Sequence, residues 1–414
     1  MMAGAVFGLR CLVLVGLSAG VLLAQRAPKN PDEDPFTRGV AERMAAVGIE
    51  AYAPMPWAGD HTTIDIVTEL GNKPPIRWAE TRHFKIGIGL AERPWPKDKR
   101  LRRELNAEVD AWWKKFPRTR GVRVKKPKKV TSWLLVHLYA QRLEELYADF
   151  CRRSGYADEA PEPGDHGHDG QGWRDRGGIG KGPFLGQHGK FCLLVLERRS
   201  DLARYMGRWA NRRIDQGSSH YFEESSSLLY IATPDTTNGA LRPERALHCN
   251  IVYGMVRNFI MGLQGFSYDL PAWHLDGLAH WYRRKLDEQF NSLRNLPESQ
   301  WSLLENADWG AKVRGRVQTG AFPAATDLVR WQEADIDTVN KHVMAWARID
   351  FLLAQGDEKF ANYLAILKGL PTTGVPREQI LQAQDEALAE VYGFDAAGFD
   401  EAWVAWVRAN YKRK

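Results

Sequence analysis

Two stretches near the middle of the chain decide its fold: Ala246-Leu247-His248-Cys249-Asn250-Ile251-Val252, and Leu270-Pro271-Ala272-Trp273-His274-Leu275-Asp276-Gly277-Leu278-Ala279-His280-Trp281. Both lie within helical patterns, residues 242–263 and 270–294, with a short turn around 265–269 between them. Pro243 and Pro271 stand near the two helix starts. A missing N–H is harmless there, because the first turn of a helix has no intrahelical acceptors for its donors. Just upstream, residues 190–197 (KFCLLVLE) read as a buried strand, 200–213 as an amphipathic helix opened by a capping Ser200, and 227–233 (SLLYIAT) as a second strand. Downstream, helical periodicity returns at 338–355, 358–367, 377–392 and 396–411. Strands in the middle followed by helices to the end predict an α+β fold: a small mixed sheet, a helix pair, and a mainly helical C-terminal region.

Working outward toward the N-terminus, residues 78–90 (WAETRHFKIGIGL) alternate apolar and polar as a strand does, 97–116 form a charged helix with Leu101, Leu105, Val109 and Trp112/Trp113 on its apolar side, and 130–153 are again helical. Between 155 and 189 the apolar period stops, and 11 of the 37 glycines fall there, so this segment reads as a long exposed loop. Asp165, His166, His168 and Asp169 within it are metal-ligand residue types, but their spacing fixes no coordination geometry. Gly180-Lys181 is no phosphate loop, since Asp175 stands where a Gly is needed and no Ser or Thr follows the Lys. Residues 25–75 read as an irregular leading segment with one short helix near 35–47. The expected division is 25–77, an irregular N-terminal segment; 78–153, a strand with helices; 154–189, the Gly-rich loop; 190–294, the sheet and helix pair; and 295–414, the helical C-terminal region.

The composition supports a well-cored globular chain: 414 residues, 44% hydrophobic and 26% charged, with 16 Trp. It excludes collagenous, disordered and multi-span membrane classes. The net charge is +6. Nine bases and no acid lie between Ala111 and Lys129; set aside with Arg10, they leave a net-negative remainder. No nucleic-acid partner is expected. The run reads as a solvated loop or, more sharply, as a contact for an anionic polymer or membrane surface through Lys125, Lys126, Lys128 and Lys129.

Residues 1–10 carry no acid and end in Arg10; a 14-residue apolar run, Cys11–Ala24, follows, and then Gln25 and Arg26. This is the layout of a secretory signal, residues 1–24. The run is shorter than the about 20 residues that span a bilayer. Export to a periplasmic, secreted or cell-surface location is therefore expected, with an uncleaved N-terminal anchor as the alternative. Outside the cytoplasm Cys151, Cys192 and Cys249 could supply one disulfide or serve as small buried hydrophobes.

The two central stretches resemble the active-site helices of gluzincin-type, or peptidase MA-like, zinc metallopeptidases, which read H-E-x-x-H on the first helix and roughly L-P-x-W-x-x-E-G-L-A-E on the second. The resemblance extends to Thr81-Arg82-His83-Phe84, to the strand at 190–197, to Met344-Ala345-Trp346-Ala347 with Phe351-Leu352-Leu353, and to 387–406 with Tyr392-Gly393 and Trp403. It covers most of residues 78–411. In that family two His at i and i+4 hold zinc, the Glu beside the first activates its water, and an acid from the second helix completes the site. Carried over, the resemblance places His248 at the first ligand, Cys249 at the general base, Val252 at the second His, Asp276 at the third ligand, His280 at a supporting acid and His342 where related sequences often carry Tyr.

So degenerate a motif implies a pseudopeptidase. The expectation is an exported protein that binds a peptide, protein or glycan in a residual cleft, with Leu228, Leu229, Tyr230 and Ile231 as the edge strand along which related enzymes lay substrate. A second expectation is a metallohydrolase whose zinc site is rebuilt from His248, Asp276 and His280, with Cys249 or His274 joining. A third is a surface protein acting through the basic run. The plainest reading makes His248 and His280 core histidines, Asp276 a helix N-terminal charge and Cys249 a packed thiol.

Overall fold

A computed structural model describes residues 32–117, 125–158, 182–214, 217–222, 228–236, 239–263, 271–291, 308–368 and 376–412. Contacts divide the chain into a segment Met1–Glu33 and a unit Asp34–Lys414. The signal-like stretch, the Asp165–Asp169 loop and the turn around 265–269 lie outside the described residues.

The leading part of the larger unit carries α1 (Ala41–Ala46), β1 (Ala51–Tyr52), β2 (Pro56–Ala58), β3 (His61–Thr62) and α2 (Thr63–Leu70), then β4 (Arg77–Glu80) and β5 (Phe84–Gly89). The apparent single strand at 78–90 is thus two antiparallel strands with a reversal at Thr81–His83. The leading segment is also more regular than expected. Thr62 and Asp65 form a capping box that opens α2, and Gly71 closes it at φ 75, a left-handed position that suits glycine.

Next come α3 (Lys99–Trp113), α4 (Ser132–Ser154), β6 (Phe191–Leu196), α5 (Arg199–Trp209), β7 (Ser218–Phe222) and β8 (Leu228–Ala232). The helix pair is α6 (Glu244–Leu263) and α7 (Ala272–Leu286); α8 (Trp309–Thr319), α9 (Ala325–Leu328), α10 (Val339–Ala354), α11 (Asp357–Lys368), α12 (Arg377–Tyr392) and α13 (Ala396–Asn410) complete the chain. The architecture is α+β with a mixed sheet and a helical C-terminal region.

The main sheet runs β1-β4-β5-β6-β8-β7. Its centre, β5-β6-β8, is parallel, in register through Phe84↔Phe191 and Leu193↔Tyr230. FKIGIG, FCLLVL and LLYIA are nearly unbroken apolar runs because both sheet faces are covered. Alternate residues serve the two sides: Phe84, Ile86, Phe191, Leu193 and Tyr230 join the large core with α4 and α6, whereas Cys192, Leu194, Leu229 and Ile231 join a smaller core with α2 and α5.

Two expectations change. The strand of Leu228, Leu229, Tyr230 and Ile231 is internal, paired with β6 on one side and with antiparallel β7 on the other, so β7 is the outer strand. The Gly-rich segment is exposed at Gly155, Ala157 and Asp158 but not over its described C-terminal part, where Phe184, Leu185 and Gln187 are buried and Phe184 bridges to Gln187.

The helix pair is fixed by close approach. A Cβ at Gly277 would lie 2.5 Å from the Ala345 carbonyl oxygen and 2.6 Å from Ile349, so the glycine lets α7 sit directly against α10. On α6, Gly254 leaves room for the ring of Tyr230 beneath it.

Candidate functional site

Between Ala246 and Leu263, α6 carries a single charged residue, Arg257, and it is 1% exposed. A guanidinium so buried needs a partner. Its Nη1 donates to Oδ1 of Asp276 on α7, and its Nη2 donates to Oε1 of Glu333 in a 3-10 turn, Glu333–Asp335. The Tyr253 hydroxyl donates to the same Asp276 oxygen. Asp276 is 2% exposed, and the Glu333 side chain is 37% exposed, so a chain of charge runs from the helix interface to the surface. Burial works to lower the Arg257 pKa, but Asp276, Tyr253 and Glu333 outweigh it and the net shift is upward. The Arg257 guanidinium stays protonated.

Cys249, Tyr253 and Arg257 are spaced i, i+4 and i+8, one stripe of α6. That stripe meets α7. Tyr253 and Arg257 bind Asp276, the Tyr253 ring lies 4.8 Å from the His280 ring, and the charge of Arg283 bears on the Cys249 thiol. His248 is one residue earlier, about 100° away around the axis. Its ring instead meets Tyr139 of α4 edge-on at 5.9 Å. Asn250 turns to the sheet, where its Oδ1 accepts from the Tyr230 hydroxyl at 2.7 Å.

The expected metal set therefore separates. His248 faces α4, Asp276 is engaged by Arg257 and Tyr253, and the His280 Nε2 lies 3.0 Å from the His342 Nδ1 on α10. Among the described residues no group of three or more His, Cys, Asp or Glu is arranged to hold a metal ion. The reason is the helical register: the residues confronting Asp276 are a phenol and a guanidinium.

Acid–base groups are also subdued. Burial, with Arg142 and Arg245 adding to it, pushes His248 well below the usual histidine range; burial with Arg283, His342 and the neighbouring arginines does the same to His280. His274, among Trp273, Phe360 and Tyr363, is pushed down to about 3 by burial alone, and neither ring nitrogen has a hydrogen-bond partner among the described residues. Burial pushes the Cys249 thiol up to about 12, Arg283 opposing, so it is a thiol rather than a base at neutral pH. Cys151, Cys192 and Cys249 are all buried, and Cys151 and Cys249 carry free thiols among the described residues.

In the basic run, Lys126 pairs with Asp110 and Lys129 with Glu92, both at the surface, which takes two of its six described charges into local ion pairs. Lys125 and Lys128 are described, while 118–124 lie outside the described residues.

Tyr253, Arg257 and Glu333 were not marked by the motif. The usable signal was the lone arginine in an otherwise apolar helix, together with its i−4 tyrosine. Compared with protein-family models, curated proteins and solved structures, the chain matches none.

Proposed function

We propose that this chain is an exported metallopeptidase-like protein that no longer hydrolyses, and that it binds an extended peptide segment along the open side of β7. The observation that carries the reading is Asp276 held by Arg257 and Tyr253. A built-in cation takes the role that a metal ion plays in the family the helix pair resembles. If the stripe facing Asp276 is taken as the family's first helix, H-E-x-x-H falls on Cys249-Asn250-Ile251-Val252-Tyr253, and neither histidine nor the glutamate is kept. This donor set does not fit zinc. A thiol pushed up to about 12 and a phenol hydrogen-bonded to a guanidinium-paired carboxylate are poor ligands for it. Asn250, an amide bound to Tyr230, supplies no general base.

Peptide binding is supported by topology: β7 pairs with β8 on one side and ends the sheet, and such a strand offers its outward N–H and C=O groups to an added chain.

The test is made on residues 25–414. Zinc is measured by atomic emission, hydrolysis by a mixed peptide library, and binding of extended peptides with and without chelator. The expected result is no turnover, no stoichiometric zinc, and saturable binding that chelator leaves unchanged. Stoichiometric zinc with turnover would overturn the reading.

A further inference from the structure

Among the described residues three arginines are buried below 2% exposure, Arg257, Arg283 and Arg348. Arg257 has Asp276 and Glu333, and Arg348 has Asp400 at 2.5 Å. Arg283 has no carboxylate partner among the described residues. Its Nη1 donates to the Phe290 carbonyl, while Nε and Nη2 are buried and have no acceptor among the described residues. Those two atoms form one edge of the guanidinium, a fork with parallel N–H bonds suited to a two-oxygen acceptor. The same edge of Arg142 grips both oxygens of Glu108, Nε at 2.6 Å and Nη2 at 2.7 Å.

We propose that the Nε/Nη2 edge of Arg283 receives a small carboxylate-type oxyanion between α6, α7 and α8, near Cys249 and Trp309.

The charged neighbour that shares the Trp309 ring with Arg283 is a second cation. The Trp309 ring centre lies 5.4 Å from the guanidinium carbon and 5.1 Å from the His280 ring, and the Arg284 guanidinium stands 4.5 Å over the same indole. The acid whose charge bears on Arg283, Asp287, is already used: it accepts from Arg100 at 2.9 Å and from the Gln289 backbone at 3.0 Å. Burial pulls the Arg283 guanidinium down to about 9, against the pull of Cys249. It remains protonated at neutral pH, a buried charge with no carboxylate bonded to it among the described residues, which an anion would satisfy. The inference stands on Arg283 alone and does not rest on the loss of hydrolysis.

The test uses calorimetric titration of the purified protein with formate, acetate and inorganic phosphate at constant ionic strength set with chloride, repeated on Arg283→Lys. Lysine keeps the charge and removes the fork. Saturable binding of formate or acetate by the wild type, weakened at least about tenfold in Arg283→Lys, is the expected result. Should that variant not fold, binding by the wild type is followed from pH 7 to pH 10. Affinity that falls as the guanidinium loses its proton supports the site, and affinity flat across that range overturns it. No saturable binding by the wild type, or equal affinity in a folded Arg283→Lys, also overturns it.

Discussion

Arg257 and Asp276 illustrate how a buried ion pair constrains a helix interface without being its main source of stability. Removing one partner strands the other in a desolvated position. Arg257→Met is expected to cost roughly 3–5 kcal/mol, and adding Asp276→Leu should recover most of that loss. Urea unfolding of the two single variants and the double variant measures this directly. Three losses that simply add would mean the pair is not coupled. His274 supplies a second residue-scale prediction, with its sign fixed by burial. Its pKa falls from 6.5 to about 3 in the folded chain, so between those values the unfolded chain holds the extra proton. Lowering the pH through that window favours unfolding, by up to about 1.4 kcal/mol per pH unit for each such group. His248 and His280, depressed for the same reason, add to the slope. His274→Phe should flatten the fall in stability between pH 6 and pH 4 relative to wild type, read from urea midpoints across that range. An unchanged slope would mean that His274 is not held neutral.

Among the elements, the α7–α10 contact depends on the missing side chain at Gly277. Gly277→Ala should destabilise by about 1–3 kcal/mol, because the atom a Cβ meets first is a backbone carbonyl that has no rotamer to escape into. A thermal melt unchanged from wild type would show that the helices separate easily. The elements also show what the residue pattern could and could not reveal. The central strands and long helices were legible because their runs are apolar or strictly periodic: FCLLVL needs burial on both faces, and α12 spans the predicted 377–392 without change. β7 was missed because Ser218-Ser219-His220-Tyr221-Phe222 has no apolar alternation, and missing it made β8 look like the edge. α8 was missed because Gly310 and Gly315 break an otherwise weak pattern in WGAKVRGRVQT. Both helices of the pair stand where the pattern predicts, but the second ends at Leu286 rather than 294, and the stripe within the first lies one residue later than the motif implies. His248 drew attention as a ligand type, and only the packing of Tyr253 and Arg257 on Asp276 reveals which face of α6 meets α7.

At the scale of the molecule, the question is whether the C-terminal helices form a unit of their own, as a division at 295 expects, or complete the core of the helix pair. The contacts favour completion. Trp403 on α13 is fully buried and donates to the Ala347 carbonyl at 3.3 Å, and Asp400 neutralises the buried Arg348. On α12, Gln384 accepts from the Trp273 indole of α7 at 2.9 Å. These links tie α12 and α13 to α7 and α10, and the large apolar core runs without a break from Phe36 to Val407. Ending the chain at 375 would therefore strip α10 of its cover, leave Arg348 without its carboxylate and leave the Trp273 indole without an acceptor. Each loss is of a kind that costs a large share of a domain's marginal stability. The truncated chain is expected to lose its single cooperative urea transition and the near-ultraviolet signal of its packed tryptophans, with aggregation or a molten state in its place. A truncated chain that unfolds cooperatively at the wild-type midpoint would instead make α12 and α13 an independent appendage. The α6–α7 interface would then have to hold its buried charges without them.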